Sequence, residues 1–332
     1  MWQSYIYIYI ISMNQAFMNI LIEIVSPFFC FILIGYIFGR LFDGTDAGLY
    51  WLNKFIIYLA VPALLFSLLI KSPIEEMANF GYIATTTLIT FAIFAASMIY
   101  LVFVLKKRLG DSSLLAASAS YGNVGYMGIP LMVALLGEDA IIPATLILIF
   151  DSMLHFILVP LIAGRNDTGS SFERFVHSLM QILKNPFLIA SVLGVIIALF
   201  DLPLPSLISN LSDQLGASAI PTALFSLGVS LSLSKFTGVS FDRVFLVTMK
   251  LFIHPALVAV IVLSLGIFDP IWSATAIIMA TLPTALNVFM MAKQYDRSAE
   301  MVSSVTLFGT IVSVGSISFV IYLVDIFLLK MG

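Results

Sequence analysis

Two short stretches concentrate the residue types that could bind something. Tyr121-Gly-Asn-Val-Gly-Tyr-Met-Gly-Ile-Pro130 packs three glycines and a proline into nine positions, and Thr281-Leu-Pro-Thr-Ala-Leu-Asn287 carries a proline and an asparagine. Glycine weakens a helix, and proline removes a backbone donor and clashes with the preceding turn. A helix interrupted there exposes N–H groups and partial positive charge at the start of its second half, which suits an anionic group. Asn123 and Asn287 would add side-chain donors to a carboxylate. The candidate binding residues are Gly122, Asn123, Val124, Gly125 and Pro130 in the first stretch, and Pro283, Thr284 and Asn287 in the second. The plainer alternatives are an ordinary kink and, for the two asparagines, hydrogen bonds between neighbouring helices.

Four ionisable residues lie in otherwise apolar runs. Asp151 and His155 are four apart, and so are Lys250 and His254, with Pro255 next; that spacing puts each pair on one helix face. An ionisable group within a membrane span is costly and marks a functional hypothesis. One reading is a proton relay or coupling-ion site for H+ or Na+, with Asp151 titrating. The other is a buried Asp151–Lys250 salt bridge that cancels two charges and does nothing more.

The surroundings of these residues are lipid. Of 332 residues, 61% are hydrophobic and 10% are charged, and the mean hydropathy is +1.10. A soluble chain of this size cannot hide that much apolar surface in a core. At roughly 20 apolar residues per crossing, ten helical spans are expected near 17–39, 49–70, 79–105, 113–136, 140–163, 182–200, 216–234, 244–267, 271–293 and 299–328. Residues 164–181 form the one long polar linker. Residues 1–16 are too short to cross and lack a basic leader; they read as an interfacial segment rich in Trp and Tyr, or else the chain starts at Met13. Glu23 reads as an interfacial group, and Gly35-Tyr-Ile-Phe-Gly39 as a helix-packing motif.

Basic residues are retained on the cytoplasmic side. With the N-terminus outside, Arg40, Lys54, Lys106, Lys107, Arg108, Arg165, Arg174, Lys184, Lys235, Arg243, Lys293 and Arg297 fall inside, and only Lys71 and Lys330 fall outside. Both termini are therefore expected to be extracytoplasmic, in a multi-pass protein of the plasma (inner) membrane.

Sliding the chain by 159 residues lays Pro62-Ala-Leu-Leu-Phe-Ser-Leu68 on Pro221-Thr-Ala-Leu-Phe-Ser-Leu227, with five identities in seven, and carries Pro27-Phe28 onto Pro186-Phe187 and Gly35 onto Gly194. Each half, 17–163 and 182–330, would hold five spans, and an odd number inverts the second copy. Inverted repeats with broken helices are typical of secondary transporters, whose substrate site lies near the midplane.

The stretches Gly122-Asn-Val-Gly-Tyr-Met-Gly-Ile-Pro-Leu131, Pro283-Thr-Ala-Leu-Asn-Val-Phe-Met-Met-Ala-Lys-Gln-Tyr295, Asn185-Pro186 and Ala60-Val-Pro-Ala-Leu-Leu-Phe66 together resemble the auxin efflux carrier family of bacterial and plant transporters, in the bile acid/auxin carrier-like superfamily. The resemblance implies an all-α membrane fold of two inverted five-helix repeats. Helices 1, 2, 6 and 7 would form a scaffold, and helices 3–5 and 8–10 a moving, elevator-type domain. Broken helices 4 and 9 would cross near Pro130 and Pro283. It implies a carboxylate bound at the position of Asn123, malate or malonate as bacterial substrates, and a homodimer through the scaffold helices. Val288 stands where the plant pattern has a second proline, which counts against auxin itself, and there is no long cytoplasmic loop of the plant kind.

The glycines at 122, 125 and 128 do not match a nucleotide-binding fingerprint, and with three histidines in all there is no metalloprotease motif. A single cysteine, Cys30, excludes a disulfide framework, and a net charge of −3 argues against a nucleic-acid partner. No enzyme and no cofactor are expected. The competing class is an anion channel or a membrane-embedded ligand sensor.

Overall fold

The computed structural model describes residues 26–42, 46–71, 78–163, 176, 180, 183–184, 186–233 and 240–329. The N-terminal segment, Glu23, His177 and most of the 164–181 linker lie outside them. The described residues are helical and contain no strand, only one isolated β-bridge. We number the helices α1 (Ser26–Leu41), α2 (Ala47–Leu69), α3 (Phe80–Val104), α4 (Leu109–Ser120), α5 (Val124–Leu136), α6 (Glu138–Ala163), α7 (Pro186–Leu199), α8 (Ser206–Leu233), α9 (Phe241–Leu265), α10 (Pro270–Ala280), α11 (Leu286–Gln294) and α12 (Ala299–Leu329). Among the described residues six of these, α2, α3, α6, α8, α9 and α12, are long and apolar enough to cross a membrane; α1, α5, α7 and α10 are shorter and apolar.

Most helix ends fall close to the apolar boundaries, but α8 begins ten residues before span seven. Its first turns, Ser206-Leu-Ile-Ser-Asn-Leu-Ser-Asp213, are too polar to read as a span. They continue the helix because an amphipathic turn in contact with water satisfies its backbone as well as an apolar one does, and Asp213 there pairs with Lys71 at 3.3 Å.

Three prolines explain local widening of the helices. Pro62, Pro130 and Pro255 each sit two residues beyond a π turn, at Ile56–Ala60, Val124–Gly128 and Met249–Ile253. Proline collides with the carbonyl one turn back, and a wider turn relieves that collision while leaving its missing N–H without consequence. Pro130 is thus built into α5, seven residues past Asn123, and does not lie at the interruption of the helix.

Helices α1, α2, α7 and α8 pack on one another, while α3, α4, α6, α9, α10, α11 and α12 form a second set of mutual neighbours. Glycine permits the closest approaches in the first set. A Cβ at Gly35 of α1 would run into the Phe225 carbonyl of α8, one at Gly228 into the Ile32 carbonyl, and one at Gly194 of α7 would press on Leu69 and the Phe66 carbonyl. Gly35 and Gly39, the two ends of the packing motif, both face α8. Ser226 donates to Asn53 Oδ1 at 2.6 Å, tying α8 to α2.

Candidate anion site at the crossing of two interrupted helices

Helix α4 stops at Ser120 and α5 starts at Val124; α10 stops at Ala280 and α11 starts at Leu286. The two interruptions meet. Asn123 N–H donates to the Pro283 carbonyl at 2.8 Å, and Ala285 N–H donates to the Tyr121 carbonyl at 3.0 Å, closing an antiparallel bridge between Gly122 and Thr284. Non-helical backbone at membrane depth must be buried in protein or face a wet cavity; here each interruption supplies the partners the other lacks. The Thr284 hydroxyl donates to the Ser118 carbonyl at 2.7 Å, one of the orphan carbonyls at the end of α4. Thr284 therefore serves the crossing with its side chain as well as its backbone.

Several donors remain. Asn123 is 2% exposed and its Nδ2 has no hydrogen-bond partner, while its carbonyl accepts from Met127 and Gly128. The Val124 N–H turns back to the Gly122 carbonyl at 2.8 Å. Gly125 and Tyr126 in the first turn of α5, and Leu286 and Asn287 in the first turn of α11, carry N–H groups that precede any intrahelical acceptor. These groups line one small cavity of about 10 Å³, room for a single water. Two helix N-termini thus converge on it with positive ends inward. Gly125 lies under Leu148 and Phe187, where a Cβ would meet their side chains at 3.5 and 3.6 Å.

A second cavity of about 700 Å³ adjoins this one, lined among others by Asn53, Ser230, Lys293, Glu300 and Ser303. Tyr126, Leu286 and Asn287 line both and form the septum between them. Asn287 is half-buried there, and its side chain approaches the Tyr121 hydroxyl, which is 2.8 Å from Ser152 Oγ.

Behind the crossing lie the four ionisable residues, all buried: Asp151 4% exposed, His155 0%, Lys250 1% and His254 3%. Lys250 does not form an ion pair with Asp151. Its Nζ donates to the Ala280 carbonyl at 2.7 Å, where an ammonium complements the negative end of α10, and lies 3.2 Å from His254 Nδ1. His254 Nε2 is 3.3 Å from Thr90 Oγ1, and the Thr90 hydroxyl approaches the Asp151 carboxylate, whose Oδ1 has no hydrogen-bond partner. His155 Nδ1 donates to the Asp151 carbonyl at 2.7 Å, its Nε2 meets Ser120 Oγ at 2.8 Å, and its ring stacks on Tyr121 at 4.5 Å. The direct Asp151–Lys250 salt bridge of the plainer alternative is thus absent, and His254 and Thr90 lie between the two residues. Thr90, Ser118 and Ser120 carry no signal in the sequence, because Ser and Thr are common in membrane helices and usually bond their own backbone.

A family model described as "Membrane transport protein" matches residues 20–321. The chain belongs to that family of membrane transport proteins. It is 35% identical over 306 residues to a protein of Rhizobium meliloti (strain 1021) named "Putative malonate transporter", spanning 91% of this chain and 95% of that one. It is 24% identical over 299 residues, 89% of this chain and 95% of the other, to an "Uncharacterized transporter" of Methanothermobacter thermautotrophicus. "Auxin efflux carrier component 7" of Arabidopsis thaliana is 26% identical over 139 residues, 40% of this chain and 22% of that protein. The motif resemblance to auxin efflux carriers is borne out. The protein is a multi-pass membrane protein of a family of transporters, not an enzyme.

Proposed function

We propose that this family member is a secondary active transporter of a small organic anion, a carboxylate of the malonate or malate kind or an auxin-like acid, working by elevator-type alternating access. The observation that carries the reading is the buried Nδ2 of Asn123, without a partner, in a cavity that two helix N-termini enter from opposite interruptions. A carboxylate accepts several such donors at once, and charge-assisted hydrogen bonds are the stronger kind. The name of the Rhizobium relative supports a dicarboxylate. In this reading Asn123, Gly122, Val124, Gly125, Pro283 and Asn287 form or frame the site. Thr284 clamps the crossing, Pro130 shapes α5, and Asp151, His155, Lys250 and His254 are the coupling group.

The same reading takes α4 with α5, and α10 with α11, as single crossings. That gives ten spans in two inverted repeats, 17–163 and 182–330, joined by the linker 164–181. The offset of 159 that relates Gly35 to Gly194 also relates Phe66 to Phe225, and Gly35 sits on the Phe225 backbone as Gly194 sits on that of Phe66. This reciprocal packing supports a pseudo-twofold axis. The separate packing of α1, α2, α7 and α8 supports a scaffold, through which the protein would dimerise in the plasma membrane. With both termini outside, the 700 Å³ cavity opens to the cytoplasm.

The test is counterflow. Proteoliposomes loaded with unlabelled malonate should take up labelled malonate with saturation, and Asn123→Ala should abolish it in folded protein. Currents far above carrier turnover would favour the channel, and ligand binding without flux the sensor.

A further inference from the structure

The coupling cluster has an internal order that names its ion. Lys250, as an ammonium, can only donate, so His254 Nδ1 accepts from it. The remaining ring N–H is then on Nε2 and donates to Thr90 Oγ1. That leaves the Thr90 proton to point at the Asp151 carboxylate, beside which it lies. Two hydrogen bonds, Lys250 to His254 and His254 to Thr90, run toward Asp151, and the Thr90 hydroxyl lies beside a carboxylate whose Oδ1 is buried without a partner.

Sodium-coupled carriers hold the ion on unwound carbonyls and on half-helix C-terminal ends. Here two of the oxygens nearest the cluster are already engaged. The end of α10 at Ala280 is held by the Lys250 ammonium, and Ser118 near the end of α4 by the Thr284 hydroxyl. The other ionisable groups around Asp151 are His155 on its own helix, Tyr82 on α3, Tyr121 beyond α4, and Lys250 and His254 on α9; α7 and α10 carry none. Asp151 is the cluster's single acid.

Resting on the carrier reading above, the geometry points to a proton as the coupling ion, taken up by Asp151 and crossing together with the organic anion. In the resting state the Asp151 carboxylate and the Lys250 ammonium cancel. A proton from the aqueous side adds to Asp151, forming its O–H bond while the Thr90 proton swings away, and leaves the cluster with one net positive charge. Shifting one proton along Lys250, His254, Thr90 and Asp151 only exchanges the ion pair for its neutral form and changes no net charge. Lys250 Nζ lies against Gly122, 3.2 Å from where a Cβ would stand, next to Asn123. The extra positive charge therefore backs the anion cavity and favours a filled one, and by linkage the anion favours proton uptake to the same degree. Thr90 is a positioning residue that connects the two ends.

The experiment is uptake of labelled malonate into proteoliposomes with the voltage clamped at zero. An inward proton gradient of tenfold should accumulate malonate about tenfold per coupled proton, and a sodium gradient at equal pH should do nothing. Asp151→Asn should retain counterflow and lose accumulation. Thr90→Val should slow proton-driven uptake, with Thr90→Ser restoring it, which separates positioning by the hydroxyl from a merely structural role. Accumulation driven by sodium alone, accumulation driven by an outward proton gradient, or full proton-driven accumulation in Asp151→Asn would overturn the proposal. Counterflow without any proton effect sinks the coupling alone, whereas absence of wild-type counterflow sinks the carrier reading itself.

Discussion

Lys250 and Ala280 are thirty residues apart in sequence, yet the ammonium of the first caps the helix that ends at the second, at 2.7 Å. This bond joins the ionisable cluster to the interruption in α10 and α11, so a change of charge in one is felt by the position of the other. Lys250→Met, of similar length and apolar, should leave the Ala280 carbonyl buried and unsatisfied. A loss of about 1–3 kcal/mol is expected, read as a lower thermal midpoint in detergent, together with loss of transport. An unchanged midpoint would show that the bond contributes nothing to holding the crossing.

Asn123→Ala removes a buried donor that has no protein partner to orphan. Stability should change little, while affinity for a carboxylate should fall by about 1.5–3 kcal/mol, or roughly 10- to 150-fold. Titrating thermal stabilisation against malonate concentration measures both quantities on one sample.

Thr284→Val should behave in the opposite way. Its hydroxyl is committed to the Ser118 carbonyl, so the variant loses stability by about 1–3 kcal/mol, with malonate affinity in the folded fraction changed far less than in Asn123→Ala. A loss of affinity at unaltered stability would return Thr284 to the list of ligands.

Gly228→Ala places a Cβ in the Ile32 carbonyl and the Tyr36 amide, backbone that cannot swing aside. Overpacking of this kind costs about 1–3 kcal/mol and occasionally more, and size-exclusion chromatography should show a reduced folded fraction. Lys71→Ala is the contrast: its bridge to Asp213 joins two half-exposed side chains, and such pairs contribute about 0–1 kcal/mol. A thermal midpoint shifted as far as in Gly228→Ala would contradict this.

Membrane residence, the run of apolar helices and the places where two helices come apart follow from local chemistry alone. Apolar length is counted residue by residue, and glycine with proline disfavours helix wherever it stands. Pro130 is the instructive exception, because a π turn absorbs it and the interruption falls instead at Tyr121–Asn123. Only folding could bring Gly122 against Thr284, commit the Thr284 hydroxyl, leave the Asn123 Nδ2 without a partner, and route Lys250 to Ala280 and His254 in place of Asp151. Those outcomes depend on which distant groups compete for the same hydrogen bond once water is gone, and that competition has no spacing along the chain from which to read it.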